Sequence, residues 1–314
     1  MQMLGGNMMK VLVTGGSGFI GKYVVDEIIR NGHAAVIVDN LSNGDCTNMN
    51  PKAVFYDIDV KDNMLEKVFM DEKPDKVIHL AAQINVSKSL ESPAFDADVN
   101  ILGTINTLEC CIKSGVSKII YSSSAAVYGN PLYLGVDENH PINPISFYGI
   151  SKLVGEWYIM LYSKLYGMNY TIFRFSNVYG NCNKLTGEGG VIYQFINSIM
   201  NQRQPVIFGN GEQTRDLIYV KDVASACYLA LHEECSELFN LGTGIQTSIN
   251  QLLSIIYSKT GSDIAPEFLD FKMGDILHSY FDNSKVTDKL NWAPKYTLED
   301  GMGETLNSMQ LGSK

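Results

Sequence analysis

Tyr148 and Lys152 stand four residues apart in YGISK (148–152), a spacing that can make a base. A residue and its i+4 neighbour share one helix face, so an ammonium there would favour the phenolate of a tyrosine whose ordinary pKa is about 10. Such a phenolate can take a hydroxyl proton near neutral pH. The same spacing also occurs on ordinary surface helices, so its meaning depends on the rest of the chain. Three hydroxyls, Ser122-Ser123-Ser124, close an apolar stretch (118–121), and Tyr148 follows Ser124 by 24 residues. Hydroxyls at the C-terminal edge of a strand lie where the reacting end of a ligand would be. The plainer alternative is a polar turn.

The elements that must hold these residues begin with TGGSGFIG (14–21), which follows KVLVT (10–14) and opens a helical pattern. It satisfies both Gly16-x-Gly18-x-x-Gly21 and Gly15-x-x-Gly18-x-x-Gly21. Glycines there permit a tight turn, let the backbone approach a pyrophosphate and seat helix against strand. The helix N-terminus then faces the phosphates. Asp39 closes the second apolar run, 18 residues after Gly21, close to the ~20 expected of an acid that binds the adenosine ribose. A carboxylate accepts from the 2′-hydroxyl of NAD and repels the 2′-phosphate of NADP, and no arginine stands beside it, so NAD is the expected cofactor. Asp59, in DVKD (59–62), either holds the adenine amino group or caps a turn.

Strands are expected at 10–14, 34–38, 53–56, 76–79 and 118–121, with helices at 23–30, 63–70, 99–113 and 148–166 between or after them. Near-continuous apolar strands separated by helices imply an α/β fold, a doubly wound parallel sheet of the Rossmann type. Beyond Asn177 the pattern loosens. A Gly- and Asn-rich loop (178–190) precedes a helix at 191–200, a strand at 205–208, a helix at 222–232 and a strand at 238–241, with helix and strand again over 250–281. Residues 1–177 are read as the NAD-binding domain, with 219–245 returning to it. Residues 178–314 are read as a smaller, interwoven substrate-binding lobe.

The 314 residues carry a net charge of -10, which argues against nonspecific binding to nucleic acid or anionic membrane. The six cysteines (46, 110, 111, 182, 227, 235) and five histidines show no metal-ligand spacing, and buried free thiols in a reducing compartment are expected. No run approaches the ~20 apolar residues of a membrane span. Met1 to Met9 lacks a basic region followed by an apolar stretch, so no secretory signal is expected and the reading is cytoplasmic.

With these motifs assembled, the chain resembles the extended short-chain dehydrogenase/reductases, and within them the UDP-galactose 4-epimerase branch. The resemblance runs through TGGSGFIG (14–21), VDNLSNG (38–44), HLAAQ (79–83), SSSAAVYG (122–129), YGISK (148–152), RFSNVYG (174–180), TRDLIYV (214–220) and a K-x-G-D element at 272–275. It implies that Tyr148 is the base. Lys152 would bind the nicotinamide ribose and lower the tyrosine pKa, and Ser124 would hydrogen-bond the sugar 4-hydroxyl. It implies NAD contacts at Phe19, Ile20, Asp39, Asn40, Ser42, Asn43 and Gly44. Further cofactor contacts are implied at Asp59, Val60, Leu80, Ala81, Ala82, Gln83, Asn100 and Ser122. Nucleotide-sugar contacts are implied at Asn177, Val191, Phe208, Arg215, Lys272 and Asp275. The guanidinium fork of Arg215 suits a diphosphate; the alternative is an ion pair with Asp216.

The residues after Ser124 separate the branches. Sugar dehydratases and decarboxylases of this superfamily keep acids there, whereas Ala125 and Ala126 cannot transfer protons. The expectation is therefore a UDP-hexose 4-epimerase that interconverts UDP-glucose and UDP-galactose through a transient 4-keto sugar. Two departures stand out. Lys272 replaces the family's usual arginine, which weakens bidentate diphosphate binding, and Ser279 aligns with a bulky gate tyrosine of the sugar pocket. A small gate resembles the branch that accepts N-acetylated sugars, although Tyr280 stands next door. The alternatives are a UDP-glucuronate 4-epimerase, a net nucleotide-sugar oxidoreductase and a non-enzymatic NAD-binding regulator. Apolar residues in excess on the helices at 99–113 and 148–166 (Trp157, Tyr158, Met160, Leu161) suggest a homodimer built on a four-helix interface.

Overall fold

The structure, a computed structural model, describes residues 8–44, 49–181, 190–271 and 276–311. The first half alternates β1 (Lys10–Thr14), α1 (Phe19–Arg30), β2 (Ala34–Asp39), β3 (Val54–Asp57), α2 (Met64–Glu72) and β4 (Lys76–His79). Two short helices, α3 (Val86–Glu91) and α4 (Pro93–Ala97), lead through a π-helical turn (Asp98–Leu102) into α5 (Gly103–Ser114). Then come β5 (Lys118–Ser124), a 3₁₀ turn (Ala125–Val127), α6 (Phe147–Tyr166), β6 (Asn169–Phe175) and β7 (Asn177–Tyr179). The remainder holds α7 (Gly190–Met200), β8 (Val206–Phe208), β9 (Thr214–Arg215), β10 (Leu217–Tyr219), α8 (Val220–Ala230) and β11 (Glu237–Leu241). It closes with β12 (Thr247–Ser248), α9 (Ile249–Thr260), β13 (Glu267–Leu269), α10 (Ser284–Leu290) and α11 (Leu298–Leu311).

Seven strands form one sheet in the order β11-β6-β5-β4-β1-β2-β3, and every neighbouring pair is parallel. The chain reverses its direction of winding between β1 and β4. In open sheets of this kind, ligands bind at that point, outside the carboxyl ends of the strands. The strands are apolar on both sides because both faces are covered. One face packs Val24, Val25 and Ile28 of α1 with Val223 and Cys227 of α8. The other packs Leu65 and Phe69 of α2, Leu108 and Cys111 of α5 and Ile159 of α6. A further core joins Ile192, Phe195 and Ile196 of α7 to Leu252, Leu253 and Ile256 of α9 and Met302 of α11.

The expected strands all form, and the stretch at 237–241 returns to the main sheet as anticipated. β6 was not anticipated, because Arg174 interrupts its apolar run. That arginine is neutralised inside the fold by a two-pronged pair with Glu156 (Nε–Oε1 2.9 Å, Nη2–Oε2 2.6 Å). β5 runs three residues past its expected end, since Ser122–Ser124 pair with Phe173–Phe175 of β6. The helix expected from residue 99 opens with a π turn, and 178–190 begins within β7 rather than in a loop.

Cys110, Cys111 and Cys227 are buried free thiols, and burial pushes Cys110 up to about 11 and Cys227 up to about 12. Cys235 departs from the expectation and is exposed, while Cys46 and Cys182 lie outside the described residues. No helix among the described residues is long and apolar enough to cross a membrane.

Candidate active site

The glycine loop needs its glycines for space as well as for conformation. Gly15 has φ +69°, and a Cβ there would sit 2.7 Å from the Ala81 nitrogen; at Gly21 it would sit 2.1 Å from the Gly15 carbonyl oxygen. The turn is closed by Gly15 N–H donating to Val38 O (2.8 Å) and Gly18 N–H to Gly15 O (3.1 Å). α1 starts at Gly18 with no side-chain cap, so its first-turn N–H groups are available to an anion. Asp39, only 8% exposed, sits across the loop and accepts from Ser17 N–H (3.0 Å) and Leu41 N–H (2.9 Å). Burial raises its pKa, and those hydrogen bonds oppose the rise. With Gly18 N–H as a third donor, the carboxylate still keeps acceptor capacity for a ribose hydroxyl. An uncapped helix N-terminus, a backbone cradle that a methyl group would fill and an acid at the second strand end together fit a dinucleotide.

α6 carries Tyr148 and Lys152, and its placement is set by close contacts. Ser146 caps it by accepting from Gly149 N–H (3.1 Å). A Cβ at Gly149 would lie 2.5 Å from the Ala126 carbonyl, and one at Gly155 would lie 2.3 Å from the Tyr121 hydroxyl. The helix therefore meets the 3₁₀ turn after β5 backbone to backbone at one end, and β5 backbone to ring at the other. Fully buried Ile159 adds about 1.5–3 kcal/mol of packing on the same face.

This approach brings the Tyr148 phenol to the Ser124 hydroxyl. Burial pushes Tyr148 up to about 12, and the hydrogen bond with Ser124 opposes that shift. The Lys152 ammonium donates to the Ser122 carbonyl (2.8 Å) and lies 5.1 Å from the Tyr121 ring centroid. Burial pushes it down to about 8. In the protein alone, desolvation drives both groups toward their neutral forms.

The serines divide by strand alternation. Ser122 donates to the His79 carbonyl (3.2 Å), and Ser123 turns to the buried Glu156. Ser124 accepts from Ala126 N–H (3.2 Å) and is the hydroxyl beside Tyr148.

One cavity of about 900 Å³ joins these parts. Every described residue expected at the site lines it except Asn100, including Asn177, Val191, Phe208, Arg215 and Ser279. Asn100 is buried instead in a polar cluster. Its side chain accepts from Gln83 N–H (2.8 Å) and shares its protons among Gln83 O, Ser151 Oγ and Asp96. Asp59 uses one oxygen on Lys61 N–H (2.9 Å) and the other on Asn40 Nδ2 (2.8 Å), the turn-capping alternative, although it lines the cavity. Arg215 donates to Thr214 O (2.8 Å). Asp216 is held by Thr243, Gly244 and Phe281 as a buried structural carboxylate. Ser279 lines the cavity, while the Tyr280 side chain lies against Gly135. Lys272 and Asp275 lie outside the described residues.

Sequence reasoning missed the wall formed by Ile84, Asn85, Val86 and Lys88 with Phe95 and Val99. Its one signal was position, directly after HLAAQ. The Lys88 ammonium lies over the Phe95 ring, 4.6 Å from its centroid.

A doubly wound sheet with a dinucleotide cradle facing a half-buried tyrosine and a buried lysine defines a nicotinamide-dependent enzyme. A family model described as the NAD dependent epimerase/dehydratase family matches residues 11–242, and the chain belongs to that family; NAD is its cofactor. It is 46% identical over 97% of its length to a putative UDP-glucose 4-epimerase of Methanocaldococcus jannaschii, 99% of which is covered. Among solved structures, it is similar to the UDP-glucose 4-epimerase of Thermotoga maritima with UDP-glucose, at 40% identity and TM-score 0.94 over 98% of this chain and 100% of that one. It is also similar to a UDP-N-acetylglucosamine 4-epimerase of Methanobrevibacter ruminantium in complex with UDP-N-acetylmuramic acid, at 35% identity and TM-score 0.92 over 97% and 99% of the two chains.

Proposed function

We propose that this protein is an NAD-dependent UDP-hexose 4-epimerase that interconverts UDP-glucose and UDP-galactose. The observation that carries the reading is the meeting of Ser124, Tyr148 and Lys152 with Asn177, Phe208 and Arg215 in one cavity, with alanines at 125 and 126. When bound, NAD+ would supply the hydride acceptor for the sugar C4 and a positive charge. Tyr148 Oη takes the 4-hydroxyl proton, and Ser124 holds that hydroxyl toward it. Lys152 counters the developing phenolate charge and grips the ribose. Arg215 anchors the diphosphate, about which the 4-keto sugar turns to present its other face. As C4 regains its hydride on that face, Tyr148 returns the proton to the C4 oxygen.

Residues 1–177 with 219–245 would hold the cofactor and 178–314 the nucleotide sugar; the return of β11 to the sheet supports this division. The small Ser279 at the cavity supports acceptance of N-acetylated sugars. A second reading, UDP-glucuronate epimerisation, is favoured by Lys88 on the cavity wall as a partner for a C6 carboxylate. A coupled assay on UDP-galactose, UDP-N-acetylglucosamine and UDP-glucuronate tests all three. Turnover of the first two is expected, and failure of every sugar would remove the epimerase reading. If UDP-glucuronate turns over, Lys88→Met should depress it alone, by about tenfold.

A homodimer is supported by the apolar face of α6, where Trp157, Leu161 and Leu165 are 58%, 51% and 62% exposed while Met160 packs inward. Sedimentation equilibrium should give the mass of two chains, reduced to one by Leu161→Asp. A monomeric wild type would contradict the assembly.

A further inference from the structure

Beneath the base lies a carboxylate that the mechanism above does not use. Asp96, in α4, is 1% exposed, and its Oδ1 accepts from Gln83 Nε2 (2.7 Å) and Asn100 Nδ2 (3.2 Å). Gln83 is fastened in turn to Asn85 through both ends of its amide, and this sets the path of the cavity wall at 83–86. Asn100 Nδ2 reaches Ser151 Oγ (3.0 Å), and that hydroxyl donates to the Tyr148 carbonyl (3.0 Å). Gln83, Asp96, Asn100 and Ser151 are each less than a tenth exposed. The cluster therefore ties the cofactor-side wall to the first turn of α6. A buried carboxylate costs several kcal/mol unless hydrogen-bonded, and an amide could accept the same protons without that cost. The charge itself calls for an explanation.

We propose that Asp96 is a positioning residue for the Tyr148–Lys152 pair: it anchors Gln83 and Asn100 and supplies a fixed negative charge beneath the base. This rests on the reading of Tyr148 as the base. Charged and titratable groups around it are Tyr148, Lys152 and Glu156 of α6, Tyr121 of β5, Lys88 of α3 and Asp98 of the π turn, the last paired with Lys61 (2.7 Å). Glu156 is balanced by Arg174. Among the described residues, Asp96 is the carboxylate that acts on both members of the pair, raising the Lys152 and the Tyr148 pKa, whereas Glu156 raises that of Lys152. Asp96 thus holds Lys152 charged against desolvation and holds the proton on Tyr148 until a positive ligand arrives.

The test removes the charge and keeps the acceptor. In Asp96→Asn, the bell-shaped pH profile of kcat/KM should move as a whole to lower pH, because the two ionisations that bound it, those of Tyr148 and Lys152, both lose the charge that raises them. The ultraviolet phenolate titration of Tyr148, taken as the difference from the matching Tyr148→Phe protein, should move to lower pH as well. This second readout needs no turnover, so it stands even if no UDP-sugar proves to be a substrate. Asp96→Glu should restore both positions. Asp96→Ser carries the same expectation should the asparagine variant not fold. A profile that falls by one factor at every pH, or a Tyr148 titration that stays or rises, would overturn the proposal and leave Asp96 a structural anchor only.

Discussion

Desolvation acts in one direction on the titratable groups around the base, pushing Tyr148 up to about 12, Lys152 down to about 8 and His79 down to about 3. His79 is held neutral by a directed chain of hydrogen bonds. Thr104 gives its only hydroxyl proton to Asn100 O (2.6 Å), so it accepts from His79 Nε2 (3.0 Å), and Nδ1 accepts from Thr14 Oγ1 (2.6 Å). A proton on Nδ1 would face a hydroxyl already turned to donate. The native pKa lies below the ordinary 6.5. The unfolded chain therefore binds a proton that the native state does not, and stability is present above pH 6.5 and lost as pH falls toward 3. Urea denaturation across that window should show a slope approaching about 1.4 kcal/mol per pH unit from this residue. The slope should be flatter by that amount in His79→Gln, and equal slopes would show that His79 does not couple folding to pH. None of this was legible in HLAAQ, where the histidine carried no partner signal. The Tyr148–Lys152 spacing was legible, but its protonation was not, because desolvation depends on what the fold places around the pair.

At the scale of elements, the geometry of the proposed base, Tyr148, is the geometry of α6 against β5. Gly155 lies where any Cβ would meet the Tyr121 hydroxyl at 2.3 Å, and Tyr121 is itself fixed in the core at 1% exposed. Gly155→Ala should cost about 1–3 kcal/mol through overpacking. It should also lower kcat by about 100-fold, since displacement of a catalytic group by an ångström has that order of effect. Thermal melting and turnover measured together check both parts, and an unchanged kcat would show that α6 is not set by this contact. The strands with unbroken apolar runs were readable from the sequence, as was the glycine loop. β6 was not, because the buried Arg174 is acceptable only once Glu156 arrives from α6. The wall at 84–88 was also missed. Its residues carry no motif, and it gains meaning only from Gln83 and Asp96 fastening it to the cavity.

For the whole molecule, the sheet carries the cofactor cradle, α6 carries the proposed base Tyr148, and the residues beyond Asn177 bring Val191, Phe208, Arg215 and Ser279 to the same cavity. The doubly wound architecture followed from alternating patterns, and β11 closed the sheet as its sequence suggested. A cavity of about 900 Å³ shared by both sets of residues suits an enzyme that retains its cofactor while exchanging nucleotide sugars. If hydride is removed and returned in one site, no cofactor is consumed and none need enter. The direct test is to incubate the purified protein with UDP-galactose and no added NAD, following UDP-glucose and reduced cofactor together. UDP-glucose should form through many turnovers without accumulation of NADH, and Tyr148→Phe should abolish that conversion while its bound NAD is retained. Conversion that requires added NAD and produces one NADH for each sugar consumed would contradict the account.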